Sequence, residues 1–262
     1  MTRPDYFDRY PTFAMSRDDD GILLLRLRAR DSEGEVAYSP QHHTDWSRAF
    51  VDIADDKHNR VVIMTGTGPT FIDDYAWDRP TVDPQGWDQI YYEGKHMLRR
   101  LLDVEVPIIA AVNGPATVHA ELAVMSDIVV ASTTATFQDK AHIPTGSVAG
   151  DGVHIVWLEL LGINRGRYFL WTGQTLSAQE ALDLGVVSEV VEPDQLLDRA
   201  YELARGLAGL NPLVTRYTRV AFTHRYKRLI EEGLGYGLAL EALAGLDNVR
   251  LRELANAAEE PA

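Results

Sequence analysis

Pro107-Ile-Ile-Ala-Ala-Val-Asn-Gly-Pro-Ala-Thr-Val-His-Ala-Glu-Leu-Ala-Val-Met-Ser-Asp-Ile-Val-Val-Ala131 is the stretch that decides the architecture. Its first six residues, Pro107 to Val112, form an apolar run closed by Asn113-Gly114-Pro115, the punctuation of a buried strand. Glu121 to Ser126 has helical character, and Ile128 to Ala131 is a β-branched run that reads as the next strand. Upstream, Ile22 to Leu27 is a short apolar run bounded by Asp-Gly. Asp45 to Ala54 follows as a helix, and Val61 to Thr65 as a buried strand ending in Gly66-Thr67-Gly68-Pro69. Strand and helix alternating in this order predict a mixed α/β core, with helices packed on a largely parallel sheet.

Farther out, residues 72–85 hold Asp73, Asp74, Pro80 and Pro84 without periodicity and read as a long loop. From Trp87 to Leu101 apolar residues recur at helical spacing. Beyond residue 150 the pattern turns mostly helical. Ser177-Ala-Gln-Glu180 is a capping box, and Gly185 is placed to end that helix in the left-handed conformation. Val186 to Val191 is one more strand, followed by helices from about 193 to 210 and from 212 to 256. The first dozen residues, rich in proline and charge, are expected to trail over the surface.

The chain has 262 residues, 45% of them hydrophobic and 24% charged, ordinary values for a globular domain. It contains no cysteine, which excludes disulfide scaffolds, thiolate metal sites and a cysteine nucleophile. Lys and Arg number 25 against 39 Asp and Glu, a formal charge of −14. A nucleic acid or an anionic membrane would have to bind against that field, so neither is an expected partner. No apolar run approaches the ~20 residues of a membrane span, and the charged N-terminus is unlike a signal peptide. A cytoplasmic location is the expectation.

Several motifs fail on their details. Gly66-Thr67-Gly68 follows a strand but lacks the third glycine of a dinucleotide fingerprint, with Phe71 in its place. Gly146-Ser147-Val148-Ala149-Gly150 has its serine one position early for a nucleophile elbow. His119-Ala-Glu121 matches half of a zinc deaminase signature whose cysteine half cannot exist here. His42 and His43 are adjacent, so their side chains diverge, and they read as a solvated helix entrance.

Two stretches place polar residues in apolar surroundings. In the first, His119 and Glu121 stand where a strand gives way to a helix. In the second, Thr136 to His154, His142 and Asp151 lie at opposite ends of a Gly/Pro-rich loop that can fold back on itself. A histidine held by a carboxylate activates water near neutral pH, because the carboxylate fixes the tautomer and stabilises the imidazolium. Each residue also has a plain structural reading. A loop histidine and aspartate commonly bond to backbone, and Glu121 in a first helical turn complements the helix dipole.

From Ile22 to Val191 the chain resembles the crotonase (enoyl-CoA hydratase/isomerase) superfamily. The resemblance is carried by Val61-Val-Ile-Met-Thr-Gly66, Pro107-Ile-Ile-Ala-Ala-Val-Asn-Gly114, Glu121-Leu-Ala-Val-Met-Ser-Asp-Ile128, Thr172-Gly-Gln-Thr-Leu-Ser-Ala-Gln-Glu-Ala181 and Gly185-Val-Val. It implies an α/β spiral of ββα turns, with a crotonase-like core over 1–192. A C-terminal helical region over 193–262, part of the same domain, would build homotrimers or dimers of trimers. The chain departs from thioester-binding members at Phe71-Ile-Asp-Asp-Tyr75, where they carry a Gly/Ala-rich loop. It departs again at Val118-His119-Ala120, where they carry glycines, and at His142, which stands where a second hydratase glutamate is expected.

Within the superfamily the chain is most similar to β-diketone hydrolases of the 6-oxocamphor hydrolase type. Here the likeness rests on Gln138-Asp139, His142 followed by Pro144-x-Gly146, Gly150-Asp151-Gly152-x-His154, Asn164-Arg-Gly-Arg-Tyr-Phe169 and Glu241-Ala-Leu-Ala244. Those enzymes cleave a carbon–carbon bond between two ketones by a retro-Claisen reaction, without coenzyme A or another cofactor. The resemblance implies His142 and Asp151 as the water-activating pair, His119 as a carbonyl-binding histidine and Glu241 as a C-terminal carboxylate. Tyr38 meets the family's pocket tryptophan, and Glu121 and Phe71 complete the expected substrate-binding set with no metal. The expected substrate is a cyclic, bicyclic 1,3-diketone. An acyl-CoA hydratase, isomerase or thioesterase using Glu121, and a non-catalytic binding protein of the same fold, stay open as alternatives.

Overall fold

The computed structural model describes residues 3–29, 36–76 and 83–259. In chain order it opens with strands β1 (Phe13–Arg17), β2 (Ile22–Leu27) and β3 (Ala37–Tyr38), then helix α1 (Pro40–Asp55). Next come β4 (Val61–Thr65), β5 (Asp74–Tyr75), α2 (Pro84–Asp103), β6 (Ile108–Val112), the one-turn α3 (Glu121–Val124) and β7 (Ile128–Ser132). The second half holds β8 (Thr136–Phe137), α4 (Val153–Leu161), α5 (Ile163–Thr172), β9 (Leu176–Ser177), α6 (Ala178–Asp183), β10 (Glu189–Val191), α7 (Leu196–Ala208) and α8 (Pro212–Glu259).

Six strands form the main sheet in the order β1-β2-β4-β6-β7-β10. β1 runs antiparallel to β2, and the other neighbours are parallel. Both faces are covered, which is why the strands read as unbroken apolar runs and not as alternating ones. Val62, Met64, Ile108, Ala110 and Val112 face the larger core, shared with Trp46 and Phe50 of α1 and Leu98 and Leu101 of α2. Val61, Ile63, Ile109, Ala111 and Val130 face Leu196, Ala200 and Ala204 of α7. Helix α7, which the sequence reading assigns to the C-terminal region, thus packs on the sheet itself.

The N-terminal segment corrects its sequence expectation. Tyr6, Phe7, Tyr10 and Thr12 are buried, and β1 zips onto β2 from Phe13 to Arg17. Aromatic residues among the charges drive this docking, since each removes a large apolar area from water. The expected loop at 72–85 contains the short β5, paired with β3, and ends at Asp83, whose side chain caps α2 by accepting from the Gly86 N–H at 2.7 Å. Its residues 77–82 lie outside the described residues. The capping box at Ser177 forms as read, with the Ser177 N–H donating to Glu180 Oε2 at 2.8 Å, and Gly185 adopts φ +74.

The failed dinucleotide motif has a structural explanation. Asn113 Oδ1 accepts from the Gly66 N–H at 2.9 Å, and Asn113 Nδ2 donates to the Gly68 and Thr70 carbonyls at 2.8 Å. A Cβ on Gly114 would come within 1.7 Å of the Pro69 carbonyl oxygen. The glycines let two turns touch, and the turn's polar groups are engaged there rather than by phosphate.

Helix α8 is fastened by Arg219, whose Nε donates to Asp127 at 2.7 Å while the guanidinium also meets the Val104 carbonyl. Farther along, Gly237 touches Gly150, so the helix lies directly against the loop that carries Asp151. Among the described residues no helix is long and apolar enough to cross a membrane.

Candidate active site

A cavity of about 770 Å³ opens where residues following β6 and β8 meet α1, α2 and the far part of α8. This is beyond the carboxyl ends of parallel strands, where α/β sheets bind ligands. Trp87, Ile90, Leu238, Ala242, Leu246 and Val249 supply apolar walls, and Tyr38, His43, Glu93, His119, His142, Asp151 and Glu241 are the polar groups that bear on it.

His142 sits at the start of a short 3-10 turn, and Gly146 ends that turn with φ +78. Its Nδ1 lies 2.7 Å from Asp139 Oδ1. Its Nε2 lies 3.4 Å from Asp151 Oδ2 and 3.7 Å from Glu241 Oε1. The loop thus folds back and brings His142 and Asp151 together, and a second aspartate, Asp139, meets the other ring nitrogen. Asp139 meets Nδ1, the nitrogen turned away from the cavity, while Asp151 stands on the cavity side beside Nε2. Burial alone would depress the His142 pKa. The charges of Asp151 and Asp139 outweigh it and hold the ring well above the ordinary histidine value. For Asp151 burial works upward, and His142 and then His119 overcome it, keeping the carboxyl below the usual carboxylate range.

His119 follows β6 in the left-handed conformation, φ +49, as does no other non-glycine residue among those described. Its Nδ1 lies 2.6 Å from Glu121 Oε1 and 3.8 Å from Asp151 Oδ2. Its ring packs on Tyr38 with centroids 4.4 Å apart. Asp151 therefore stands between two imidazoles, each backed by its own buried carboxylate. Glu241 reaches the same cluster from α8. Two of the expected substrate contacts are placed elsewhere. Phe71 is wholly buried in the main core, and Glu121 is wholly buried behind His119; neither is on the cavity wall.

A third histidine–carboxylate pair went unread in the sequence. His43 Nδ1 lies 3.7 Å from Glu93 Oε2, and Glu93 Oε1 accepts from Thr44 Oγ1 at 2.7 Å. Burial lowers the His43 pKa despite Glu93, the opposite direction from the shifts of His119 and His142. The missed signal is Ser39-Pro40, an N-cap followed by Pro at N1, which starts the helix five residues before Asp45. His42 does diverge from His43 as expected, but the helix entrance is not solvated, since both rings are buried. It turns to its own helix start, its Nδ1 accepting from the Ser39 N–H at 3.1 Å.

His119, Glu121 and Asp151 bring ligand atoms within 4.8 Å of one another. A metal about 2.1 Å from two ligands keeps them about 3 Å apart or more. The 2.6 Å between His119 Nδ1 and Glu121 Oε1 is instead the spacing of a shared hydrogen. In the stretch that departs from the pattern of thioester-binding members, Asp73 and Asp74 are two adjacent acidic residues, and Lys140 donates to the Asp73 carbonyl at 2.9 Å.

The family model for enoyl-CoA hydratase/isomerase matches residues 18–239, and the chain belongs to this family, the crotonase superfamily. The carnitinyl-CoA dehydratase of Salmonella arizonae is 34% identical over 218 residues, 82% of this chain and 80% of that protein. A β-diketone hydrolase from the cyanobacterium Anabaena sp. PCC 7120, solved with (S)-3-oxocyclohexyl acetic acid bound, is 45% identical with a TM-score of 0.91. That likeness covers 94% of this chain and 99% of the other. An enoyl-CoA hydratase/isomerase from Mycobacterium paratuberculosis, 23% identical over 90% of this chain and 94% of its own, shares the fold at a TM-score of 0.79. The resemblance read from the sequence and these matches agree on superfamily and architecture.

Proposed function

We propose that the protein is a β-diketone hydrolase that adds water across the carbon–carbon bond between two ring ketones, in retro-Claisen fashion. The observation that carries this reading is the ligand of the 45%-identical Anabaena hydrolase. A ring ketone bearing an acetic acid arm has the composition of a bicyclic 1,3-diketone plus one water. Joining its acyl carbon to the ring position next to the ketone and para-disposed to the arm restores that bicycle.

The geometry supports a route in which each proton is accounted for. With Nδ1–H donated to Asp139, neutral His142 presents the Nε2 lone pair to the cavity and takes a proton from water as it attacks one carbonyl carbon. Asp151 and Glu241 flank the imidazolium that forms. His119 Nε2–H and the Tyr38 hydroxyl donate to the carbonyl and then the enolate oxygen. The tetrahedral oxyanion collapses, the carbon–carbon bond breaks, and its electron pair becomes the enolate. Imidazolium returns its proton to the enolate carbon, and the new acid ionises. A positioned base contributes about 10²–10⁴-fold and an oxyanion donor about 10²–10³-fold. Assembly as a homotrimer or a dimer of trimers is part of the same proposal. It is supported by exposed apolar side chains on α8 and α5, among them Phe222, Tyr236, Leu243 and Trp171.

The test is a mass-spectrometric screen of non-enolisable bicyclic 1,3-diketones beside a panel of acyl-CoA esters. Diketone products one water heavier are expected. Turnover of the thioesters with inert diketones would replace this reading with a coenzyme A reaction.

A further inference from the structure

We propose that Glu121 is a positioning residue: it shares one proton with His119, fixes that ring's Nε2–H as a donor, and so builds the site to hold an enolate oxygen more tightly than a ketone. The identity of the enolate rests on the reaction proposed above; the proton placement does not.

Glu121 is the first residue of α3, and its side chain is wholly enclosed. It is off the cavity wall, so it acts only through what it touches. One oxygen is 2.6 Å from His119 Nδ1; the other, Oε2, has no hydrogen-bond partner among the described residues. A buried carboxylate with a bare oxygen is costly unless a positive charge or a proton offsets it. Both ways of placing that proton have the same consequence. In the carboxylate–imidazolium form the ring carries hydrogen on both nitrogens. In the acid–imidazole form Glu121 donates to Nδ1, and the ring's one hydrogen is on Nε2. The arrangement that strips Nε2, a carboxylate facing a neutral Nδ1–H ring, leaves an unbalanced charge in a dry place.

The surroundings favour retention of the proton. Asp151 Oδ2, 3.8 Å from Nδ1, adds negative charge, while His142, His42 and His43 oppose it and Tyr38 covers the ring face. Burial pulls the His119 pKa down, but Glu121 and then Asp151 outweigh it and the ring is raised. Glu121 is raised too, by burial that His119 offsets only in part. Both partners shift toward holding a proton. His119 Nε2 has no hydrogen-bond partner among the described residues, and the residue lines the cavity. Its left-handed backbone, φ +49, is strained for a non-glycine residue and is the kind of strain found where a side chain must be aimed. Here it lets Nδ1 reach back to a residue two positions on, while the opposite edge faces the cavity.

The test reads proton placement directly. In ligand-free protein labelled with ¹⁵N-histidine, two-bond ¹⁵N–¹H correlation should find His119 Nε2 protonated from neutral to mildly alkaline pH. A bare Nε2 with the hydrogen on Nδ1 would overturn the inference, whatever the enzyme turns over. The second readout is binding of two ligands of one size. One is 5,5-dimethylcyclohexane-1,3-dione, an enolate at neutral pH; the other is 3,3-dimethylcyclohexanone. Glu121→Gln keeps the shape but removes the charge-assisted donor. It should weaken the enolate by about tenfold or more and leave the ketone nearly unchanged. Parallel loss of both ligands would reduce Glu121 to a packing role and contradict the proposal. Should the variant fail to fold, the wild-type spectrum still decides. A protonated Nε2 in a protein that turns over no diketone would overturn the reaction assigned and not this placement.

Discussion

Charge decides the behaviour of His142. A general base works in its neutral form, and its carboxylate neighbours stabilise the charged one. The acid limb of kcat/KM is therefore expected above the ordinary histidine value of about 6.5, with activity lost as pH falls through it. Asp139→Asn removes one of those charges, so it should move the limb to lower pH. A pH–rate profile with an unmoved limb would show that Asp139 does not govern the base. At this scale the sequence was partly legible. His142, Asp151 and His119 stand out as polar residues in apolar loops, and Gln138-Asp139 is visible in the motif. The division of labour between the two aspartates is not, because nothing in spacing says which ring nitrogen each one meets. His43 was hidden by a helix start placed too late, and its partner Glu93 by lying half a chain-segment away on α2.

At the scale of elements, β4, β6 and β7 declare themselves because strands covered on both faces must be apolar throughout. Elements β3, β5, β8 and β9 have two residues each, too short for a period to be read, yet β3 carries Tyr38 to the cavity. Helix α8 is legible in the sequence as a helix, but its place against the loop that carries Asp151 depends on two glycines far apart in sequence. A Cβ on Gly237 would lie 2.2 Å from the Gly150 carbonyl oxygen and 2.4 Å from His154 Cε1. Backbone cannot yield there as a flexible side chain would, so Gly237→Ala should lift α8 and draw Glu241 from His142. We expect a loss of stability of about 1–3 kcal/mol and a larger fractional loss of kcat than of substrate affinity. Thermal unfolding and steady-state kinetics check both; wild-type values would mean that the contact is slack.

At the scale of the whole molecule, a formal charge of −14 suits the proposed reaction, in which a neutral diketone goes in and a carboxylate comes out. The same molecule exposes Phe222 and Trp171, with about seven-tenths of each in contact with solvent, apolar surface that the proposed assembly would cover. Sedimentation velocity should give a mass that is a multiple of three chains of 29.2 kDa, and a monomer at micromolar concentration would contradict the assembly proposed.

Cleavage by the proposed route turns on His142 drawing a proton from water. The rate of cleavage of a bicyclic 1,3-diketone by His142→Ala, set against the unmodified protein at the same pH, tests it most directly. A folded variant slowed by about 10²–10⁴-fold is the predicted result. Cleavage at the unmodified rate would contradict it.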